Sequence, residues 1–282
     1  MRIALIQQHA DHDRTNNLKR ALDAMGRAAD AGARLVAFAE LALERFFPQQ
    51  RGAAAAEAAA EVAGEGPVSS AIRRRAAELG LVTVFNHYEI ANDGKRYDGS
   101  PVFDADGCLL GVTRMMHVAE MPGFHEQEYY SWGRGDAPVY DTAVGRIGVA
   151  ICYDRHYPEY MRRLGERGAQ LVVIPQAGSL NEWPDGLFEA ELRVAAFQNG
   201  YFTALCNRVG QEEALTFGGE SFVCDPEGQV VARGPAMQDA VVVADIDLSR
   251  CDGSTARRLF WRDRRPENYR SWPVVQPSVS RP

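Results

Sequence analysis

Two side chains that could cooperate in nucleophilic catalysis each follow directly after a buried run of the chain. Cys152 comes after the apolar run 147–151, and Pro158 begins a helical pattern shortly beyond it. A cysteine between a strand and a helix can face a cleft into which backbone N–H groups point. A free cysteine is also one of the most buried residue types and commonly only fills space. The position of Cys152 therefore fits a nucleophile or simple core packing.

Glu40 occupies the same kind of position, directly after the apolar run 35–39. Functional groups gather at the carboxyl ends of strands in open sheets. If the two strands are neighbours, the Glu40 carboxylate can take the proton of Cys152 and leave a thiolate nucleophile. On its own, Glu40 is an ordinary loop acid, so the prediction of nucleophilic catalysis depends on both residues together.

The elements that must position these residues alternate between helical and strand patterns along the 282 residues. Helices are predicted at 16–31, 67–79, 158–167 and 185–199, with a loose alanine-rich helix at 52–63. Strands are predicted at 2–7, 35–39, 81–90, 100–103, 108–117, 139–142, 146–151, 171–175, 202–208, 221–224, 229–233 and 240–247. The sequence shows no linker, repeat or compositional break. This mixture of hairpins and helix–strand alternation indicates layered sheets with helices outside, in one domain.

The composition argues against several classes of function. A net charge of −7 and the lack of a basic run argue against a nucleic-acid partner, and the arginines 73–75 fit a solvated helix face. No apolar run is long enough to span a membrane, and the strand-like start at Met1 indicates no signal peptide. The five cysteines contain no CxxC pair, which favours a reducing compartment and a cytoplasmic protein.

The histidines do not predict a metal site. Four of them lie near predicted strand ends, but no two have a short metal-ligand spacing; they are His87, His117, His125 and His156. We therefore expect neither a bound metal nor a cofactor.

Three segments resemble, in order and in spacing, the nitrilase superfamily of carbon–nitrogen hydrolases. They are Phe-Ala-Glu-Leu-Ala-Leu at 38–43, Gly-Val-Ala-Ile-Cys-Tyr-Asp-Arg at 148–155 and Asp-Arg-Arg-Pro-Glu-Asn-Tyr at 263–269. The first segment is especially similar to N-carbamoyl amino acid amidohydrolases. The chain as a whole is nearest to that branch and to the β-ureidopropionase and N-carbamoylputrescine amidase branches.

The resemblance implies an α/β fold, an αββα sandwich of two mixed sheets with outer helices. It covers residues 1–282 as a single domain, in which 250–282 would form a C-terminal docking tail. It also implies a homodimer formed through the helices, or a larger homo-oligomer.

The resemblance implies a mechanism as well. Glu40 takes the proton of Cys152, the thiolate attacks a C–N carbon to form an acyl-enzyme, and Glu40 then protonates the departing amine and activates water. The oxyanion site of the family uses a backbone N–H, here that of Tyr153, together with a lysine ammonium. Glu126 matches a second glutamate that orients the site in many members.

The sequence departs from the family pattern at this lysine. The family has an Arg-Lys-x-His run, whereas this chain has Arg-Met-Met-His at 114–117, with Met115 at the lysine position. Lys95, beside a turn, is the last lysine of the chain. Methionine cannot stabilise an oxyanion, and the loss of one such donor typically costs about 10²–10³ in rate. In a regular strand His117 would share the face of Met115 and could donate in its place, while Arg114 would point to the other face.

Three explanations for Met115 remain open: another oxyanion donor, a substrate that carries its own positive charge, or loss of hydrolysis with retention of binding. The first two describe an amidase-like or carbamoylase-like enzyme for a small amide or ureido substrate. The third describes a weakened or inactive homologue that serves as a small-molecule binding or interaction protein. Thiol labelling discriminates between them, because a nucleophilic Cys152 would be reactive and protected by ligand.

Basic residues directly after the cysteine are candidates for substrate binding. In carbamoylases such groups hold the substrate carboxylate, so Arg155 and His156 are candidates for binding an acidic tail of the substrate. Arg155 could instead pair with Asp154 or Glu159 and shape the start of the helix. Gln176, just beyond a predicted strand, is a further candidate for lining the pocket.

Overall fold

The computed structural model describes residues 1–272, so that residues 273–282 of the predicted docking tail lie outside the described part. The strands are β1 (Arg2–Gln7), β2 (Leu35–Phe38), β3 (Val82–Val84), β4 (His87–Ile90), β5 (Arg96–Phe103), β6 (Leu109–Arg114), β7 (Glu120–Met121), β8 (Phe124–His125), β9 (Val139–Thr142), β10 (Gly145–Val149), β11 (Leu171–Gln176), β12 (Phe202–Asn207), β13 (Val209–Gln211), β14 (Thr216–Gly218), β15 (Phe222–Cys224), β16 (Val230–Arg233) and β17 (Ala240–Asp245). The helices are α1 (Arg14–Asp30), α2 (Ala55–Ala59), α3 (Pro67–Leu79), α4 (Pro158–Glu166), α5 (Leu187–Asn199) and α6 (Pro266–Tyr269).

The first sheet contains seven strands, and its central strands β1, β2 and β3 run parallel. Its order is β17-β1-β2-β3-β5-β4, and β6 also pairs with β5. Both β3 and β4 pair with β5, so they are two halves of one strand that is interrupted at Phe85 and Asn86. The sequence predicts a continuous strand at 81–90. The structure instead interrupts this strand, and Asn86 lies outside the paired residues of the sheet.

The second sheet contains six strands in the order β16-β15-β12-β11-β10-β9. Its central strands β10, β11 and β12 also run parallel, while the outer pairs are antiparallel. Each sheet is therefore mixed, with parallel strands at its centre.

The two sheets pack face to face, and helices cover their outer faces. In β2, Leu35 and Ala37 belong to the core between the sheets, whereas Val36 and Phe38 pack under α1 and α3. This alternation explains why β2 is apolar at every position, since a strand covered on both faces has no solvent side. A third cluster fixes α4 and α5 on the second sheet. The predicted single-domain αββα sandwich is therefore confirmed.

The ends of the helices follow local capping signals. The side chain of Asp13 accepts hydrogen bonds from the backbone N–H groups of Thr15 and Asn16, at 3.0 and 3.2 Å, so that α1 begins at Arg14 rather than at the predicted residue 16. Pro158 stands at the first position of α4, as the sequence predicts.

The described part of the C-terminal segment lies on the helices of the second sheet. A π-helical turn at Ala256–Phe260 precedes Trp261, whose indole N–H donates to the Asn199 carbonyl at 3.1 Å. Arg264 pairs with Glu166 of α4.

Candidate active site

Glu40 and Cys152 follow central strands that belong to different sheets. Glu40 comes just after β2 of the first sheet, and Cys152 begins a 3₁₀ turn, Cys152–His156, just after β10 of the second sheet. The two strands are thus not neighbours within one sheet and lie on opposite sides of the core between the sheets. The Glu40 N–H donates to the Gln176 carbonyl at 3.4 Å, which ties the end of β2 to the end of β11 in the other sheet.

The side chains of Glu40, Glu126 and Cys152 converge at this point. One carboxyl oxygen of each glutamate and the Cys152 Sγ lie within 4.8 Å of one another, and all three residues are buried. Among residues 1–272, these three side chains are also close enough to one another to hold a metal ion. The arrangement brings a thiol within reach of two proton acceptors.

The backbone of Cys152 adopts an unusual conformation. Its φ of 43° lies in the left-handed region, which non-glycine residues rarely occupy. Such strain persists only where the surroundings enforce it, and it clusters at functional sites. Here the tight turn between β10 and α4 holds the thiol against Gln176, whose Nε2 lies 3.2 Å from Sγ.

The surroundings of Cys152 disfavour a free thiolate. Burial raises the pKa of its thiol well above the ordinary value, and the nearby carboxyl groups of Glu40 and Glu126 raise that pKa further. The guanidinium of Arg155 acts in the opposite direction.

The two glutamates respond to the same burial. Burial raises the pKa of Glu40 well above its ordinary value, and the charges of Asp98 and Glu126 raise it further. Burial likewise raises the pKa of Glu126, although a hydrogen bond from the Ala119 N–H at 3.0 Å opposes this shift. Carboxyl groups with raised pKa values are suited to exchange protons near neutral pH.

Asp98 is a member of this cluster that the sequence analysis missed. It lies on β5 and is fully buried, its charge acts on Glu40, and burial raises the pKa of Asp98 to about 6. Asn86, in the interruption between β3 and β4, donates to the Asp98 carboxylate at 2.5 Å and accepts from the Leu41 N–H at 2.7 Å. An aspartate is unusual inside a strand, and that low β-propensity was the available signal.

Met115 is fully buried in the cluster between the sheets that also contains Cys152 and Tyr130. Its backbone N–H donates to the Asp98 carbonyl at 2.9 Å. The thioether offers no charge and no donor to the site. Lys95 lies exposed at its turn beside Asp93, so it does not replace the missing ammonium.

The expectation for His117 rested on a regular strand that extends to residue 117, and it is wrong on this point. The strand β6 ends at Arg114, which pairs with Glu89 at 2.7 Å. Beyond it the chain turns, and His117 Nδ1 lies 2.8 Å from Asp154 while the ring stacks on Tyr157. The side-chain alternation that placed His117 beside Met115 therefore does not apply.

Arg155 pairs with neither Asp154 nor Glu159. Its guanidinium donates to the Gln176 carboxamide oxygen at 2.8 Å and to the Cys152 carbonyl at 3.0 Å, and its Nε lies 3.3 Å from Glu191. Arg155 therefore supports the turn of the cysteine and the orientation of Gln176 at once.

His156 and Tyr153 lie on the outer side of this turn. His156 Nδ1 is 2.6 Å from Glu191, and its ring packs edge-on against Tyr153 and Trp183. Both residues are partly exposed, in contrast to Arg155, whose side chain is 1% exposed.

No helix among residues 1–272 is both long enough and apolar enough to cross a membrane.

Comparison with known proteins gives consistent matches over nearly the whole chain. A family model described as carbon-nitrogen hydrolase matches residues 2–255. The chain is 30% identical over 281 residues to N-carbamoylputrescine amidase of Solanum lycopersicum, which covers 95% of this chain and 93% of that protein. Among solved structures, a carbon-nitrogen hydrolase from Helicobacter pylori G27 gives a TM-score of 0.87 at 26% identity, over 96% of this chain and 97% of the other.

A second solved structure bears on the cysteine. It is a mutant of the amidase from Nesterenkonia sp. AN1, with a TM-score of 0.81, 27% identity and coverage of 96% of both chains. That structure shows covalent addition of the acetamide moiety of fluoroacetamide at its active site cysteine.

Proposed function

The chain belongs to the carbon–nitrogen hydrolase family, the nitrilase superfamily, and on this premise we propose that it hydrolyses a C–N bond of a small amide or N-carbamoyl compound through an acyl group on Cys152. The observation that carries the proposal is the convergence of Glu40, Glu126 and Cys152 within 4.8 Å. The similarity to N-carbamoylputrescine amidase favours the N-carbamoyl class.

In the proposed mechanism Glu40 is the general base and then the general acid. It takes the proton of Cys152 as the sulfur attacks the carbon, and it returns that proton to the departing amine. It then takes a proton from the water that releases the acyl group. The Cys152 Sγ and a carboxyl oxygen of Glu40 lie within 4.8 Å of each other, which supports the first transfer, and Glu126 would orient these groups.

The developing oxyanion needs donors that Met115 does not supply. We assign one donor to the backbone N–H of Tyr153, in line with the family resemblance. Gln176 is a second candidate, because its Nε2 lies 3.2 Å from the sulfur and its carboxamide is held by Arg155 at 2.8 Å. This neutral donor would replace only part of the stabilisation that a lysine ammonium gives. His117 faces Asp154 and remains a weaker candidate for this role.

We also propose that Arg155 and His156 bind a carboxylate of the substrate, subject to one constraint. Both side chains already contact Glu191, at 3.3 and 2.6 Å, so a carboxylate would have to compete with that residue. A substrate without a carboxylate avoids this competition.

We further propose that the protein is a cytoplasmic homodimer or larger homo-oligomer. The five cysteines are free, which supports a reducing compartment. The outer faces of α4 and α5 border a cavity of about 630 Å³, lined also by Arg264, Tyr269 and Trp272, which supports this side as the surface between subunits. The described part of the C-terminal segment would dock there.

The test is ammonia release from a panel of amides, ureido compounds and N-carbamoyl amines, measured for the parent protein and for Cys152→Ala and Glu40→Gln. The proposal predicts turnover by the parent and its loss in both variants. If no compound is turned over while the same compounds bind, the second candidate function applies, a small-molecule binding homologue, which Met115 favours.

A further inference from the structure

The buried wall around Cys152 offers hydrogen-bond acceptors that have no matching donors. Both carboxyl oxygens of Glu40, Oε1 of Glu126 and Oδ2 of Asp98 have no hydrogen-bond donor among the residues that the structure describes. Buried polar atoms are normally paired, and the unpaired buried donors of Arg155, Nε and Nη2, number two against these four oxygens. The remaining surplus of acceptors is suited to a ligand that is rich in N–H groups.

The charges of the site point in the same direction. The Cys152 thiol is surrounded by Glu40 and Glu126, while the cation that acts on it, Arg155, is already engaged with Glu191. The family would add a lysine at position 115, and this chain has a fully buried methionine there. A cationic ligand would therefore replace the missing positive charge.

The identity of the electrophile decides whether an oxyanion donor is needed. Attack of sulfur on a neutral amide turns the carbonyl oxygen into an anion, which requires strong donors. Attack on a protonated amidine cancels a positive charge and gives a neutral intermediate. A site with carboxylates and no ammonium is thus complementary to the second reaction and poorly suited to the first.

On the premise that Cys152 and Glu40 perform the proposed hydrolysis, we propose that the site takes a protonated amidine or guanidine as its preferred electrophile. The N–H groups of this cation bind Glu126 and Asp98, and Met115 packs against its uncharged side. The product is the corresponding amide or urea, together with ammonia.

The steps balance with water as the only co-reactant. The Cys152 proton moves to Glu40, a C–S bond forms, and the cation becomes a neutral tetrahedral species. Glu40 protonates one nitrogen, the C–N bond breaks, and ammonia leaves a positively charged thioimidate or isothiourea on the sulfur. Water then attacks this carbon, and Glu40 takes one proton of the water and returns it to the sulfur as the C–S bond breaks. The protonated amide or urea releases its extra proton to solvent, where the ammonia set free earlier takes it up as ammonium.

The direction of the pKa shifts supports this order of events. The pKa values of Glu40 and Glu126 are raised by burial and by neighbouring acids, and a bound cation opposes both effects. The cation also lowers the pKa of the Cys152 thiol by the same attraction. Substrate binding itself would then produce the ionised carboxylates and the nucleophile.

The test compares two electrophiles that differ in charge, 2-chloroacetamidine and 2-chloroacetamide. Each alkylates a thiol with loss of chloride, and intact-mass spectrometry with peptide mapping gives the rate at Cys152. Both rates are divided by the rates for glutathione, and exposed Cys108 provides the control within the same molecule. We expect the amidine to be favoured at Cys152 by at least about tenfold, the factor that corresponds to one charge-assisted hydrogen bond.

The variants sharpen this comparison. Glu126→Gln should reduce the preference for the amidine, and Met115→Lys should reverse it. A parent protein that reacts equally with both reagents, or faster with chloroacetamide, overturns the inference and leaves the proposed hydrolysis intact. A Cys152 that reacts with neither, while Cys108 reacts with both, overturns the inference and the proposed function together. Ammonia release from acetamidine in excess of that from acetamide confirms the preference in turnover.

Discussion

At the scale of single residues, the chemistry of the site follows from three carboxyl groups and a thiol buried beside one another. Glu40 and Cys152 were expected from the sequence because each follows a wholly apolar strand. Asp98 was not expected, because its position inside β5 carries no motif and only the fold brings it to Glu40. Residue types at strand ends can be recognised in a sequence. A partner in the middle of another strand can be identified only when the pairing register of the sheet is known.

Replacement of Asp98 should change the pH dependence of hydrolysis. Glu40 must be ionised to accept the Cys152 proton, so kcat/KM falls as the pH drops through the raised pKa of Glu40. The charge of Asp98 contributes to raising that pKa. Asp98→Asn removes the charge, and the acidic limb of the kcat/KM profile should move to lower pH. Asp93→Asn, which changes an exposed acid of the preceding turn, is the control and should leave the limb in place. An unchanged limb in Asp98→Asn contradicts the proposed electrostatic coupling.

Restoring the family lysine should accelerate catalysis on neutral amides. Met115→Lys supplies an ammonium to the oxyanion, and one preorganised donor is typically worth about 10²–10³ in rate. The measurement is kcat/KM for a neutral amide in both proteins. Met116→Lys, one residue further and only partly buried, is the matched control. Equal rates for the parent and Met115→Lys would show that the ammonium does not limit the reaction.

At the scale of elements, the ends of the central strands are held by contacts between the two sheets. Arg208, between β12 and β13, is buried and donates to the carbonyls of Glu40, Leu41 and Glu44 at 2.9, 2.5 and 2.6 Å. It also pairs with Glu212 at 2.6 Å, and both of these side chains are 2% exposed. The strands themselves were predictable from their apolar runs. The burial of Arg208 was not predictable, because its neighbours in the sequence do not distinguish it from a solvent-exposed arginine.

Removal of Arg208 should weaken both the fold and the site. Arg208→Met leaves Oε1 of Glu212 and several carbonyl groups buried without the arginine donor, and breaking a buried pair from one side typically costs about 3–5 kcal/mol. Urea unfolding measures the free energy of unfolding, and kcat should fall because the Glu40 loop loses its support. Arg75→Met removes an exposed helix pair with Glu78 and should change the free energy of unfolding by less than about 1 kcal/mol. Equal effects of the two variants would contradict this role of Arg208.

At the scale of the whole molecule, both sheets share one hydrophobic core. The inter-sheet cluster takes Leu35 and Val82 from the first sheet and Val149 and Val173 from the second. The αββα sandwich was predictable from the family resemblance. The alternation of helices and strands alone did not determine the order of the strands. The packing of the two sheets against each other depends on contacts between residues far apart in the sequence.

The shared core predicts that the protein unfolds as one unit. Neither sheet can keep its inner face covered without the other, so the backbone signal in far-ultraviolet circular dichroism and the tryptophan fluorescence should change together in urea. Two of the four tryptophans, Trp183 and Trp261, lie on the side of the second sheet, so fluorescence weights that side more than circular dichroism does. Two separated transitions would contradict a single cooperative domain.

The most direct test of the central claim is to isolate the covalent intermediate on Cys152. Turnover of the best substrate from the amide, N-carbamoyl and amidine panel is stopped with acid, and the protein is analysed by intact mass and peptide mapping. The account predicts an adduct with the mass of the transferred group on the peptide that contains Cys152, and no adduct or turnover in Cys152→Ala. Turnover that continues in Cys152→Ala, or an adduct on another residue, would contradict it.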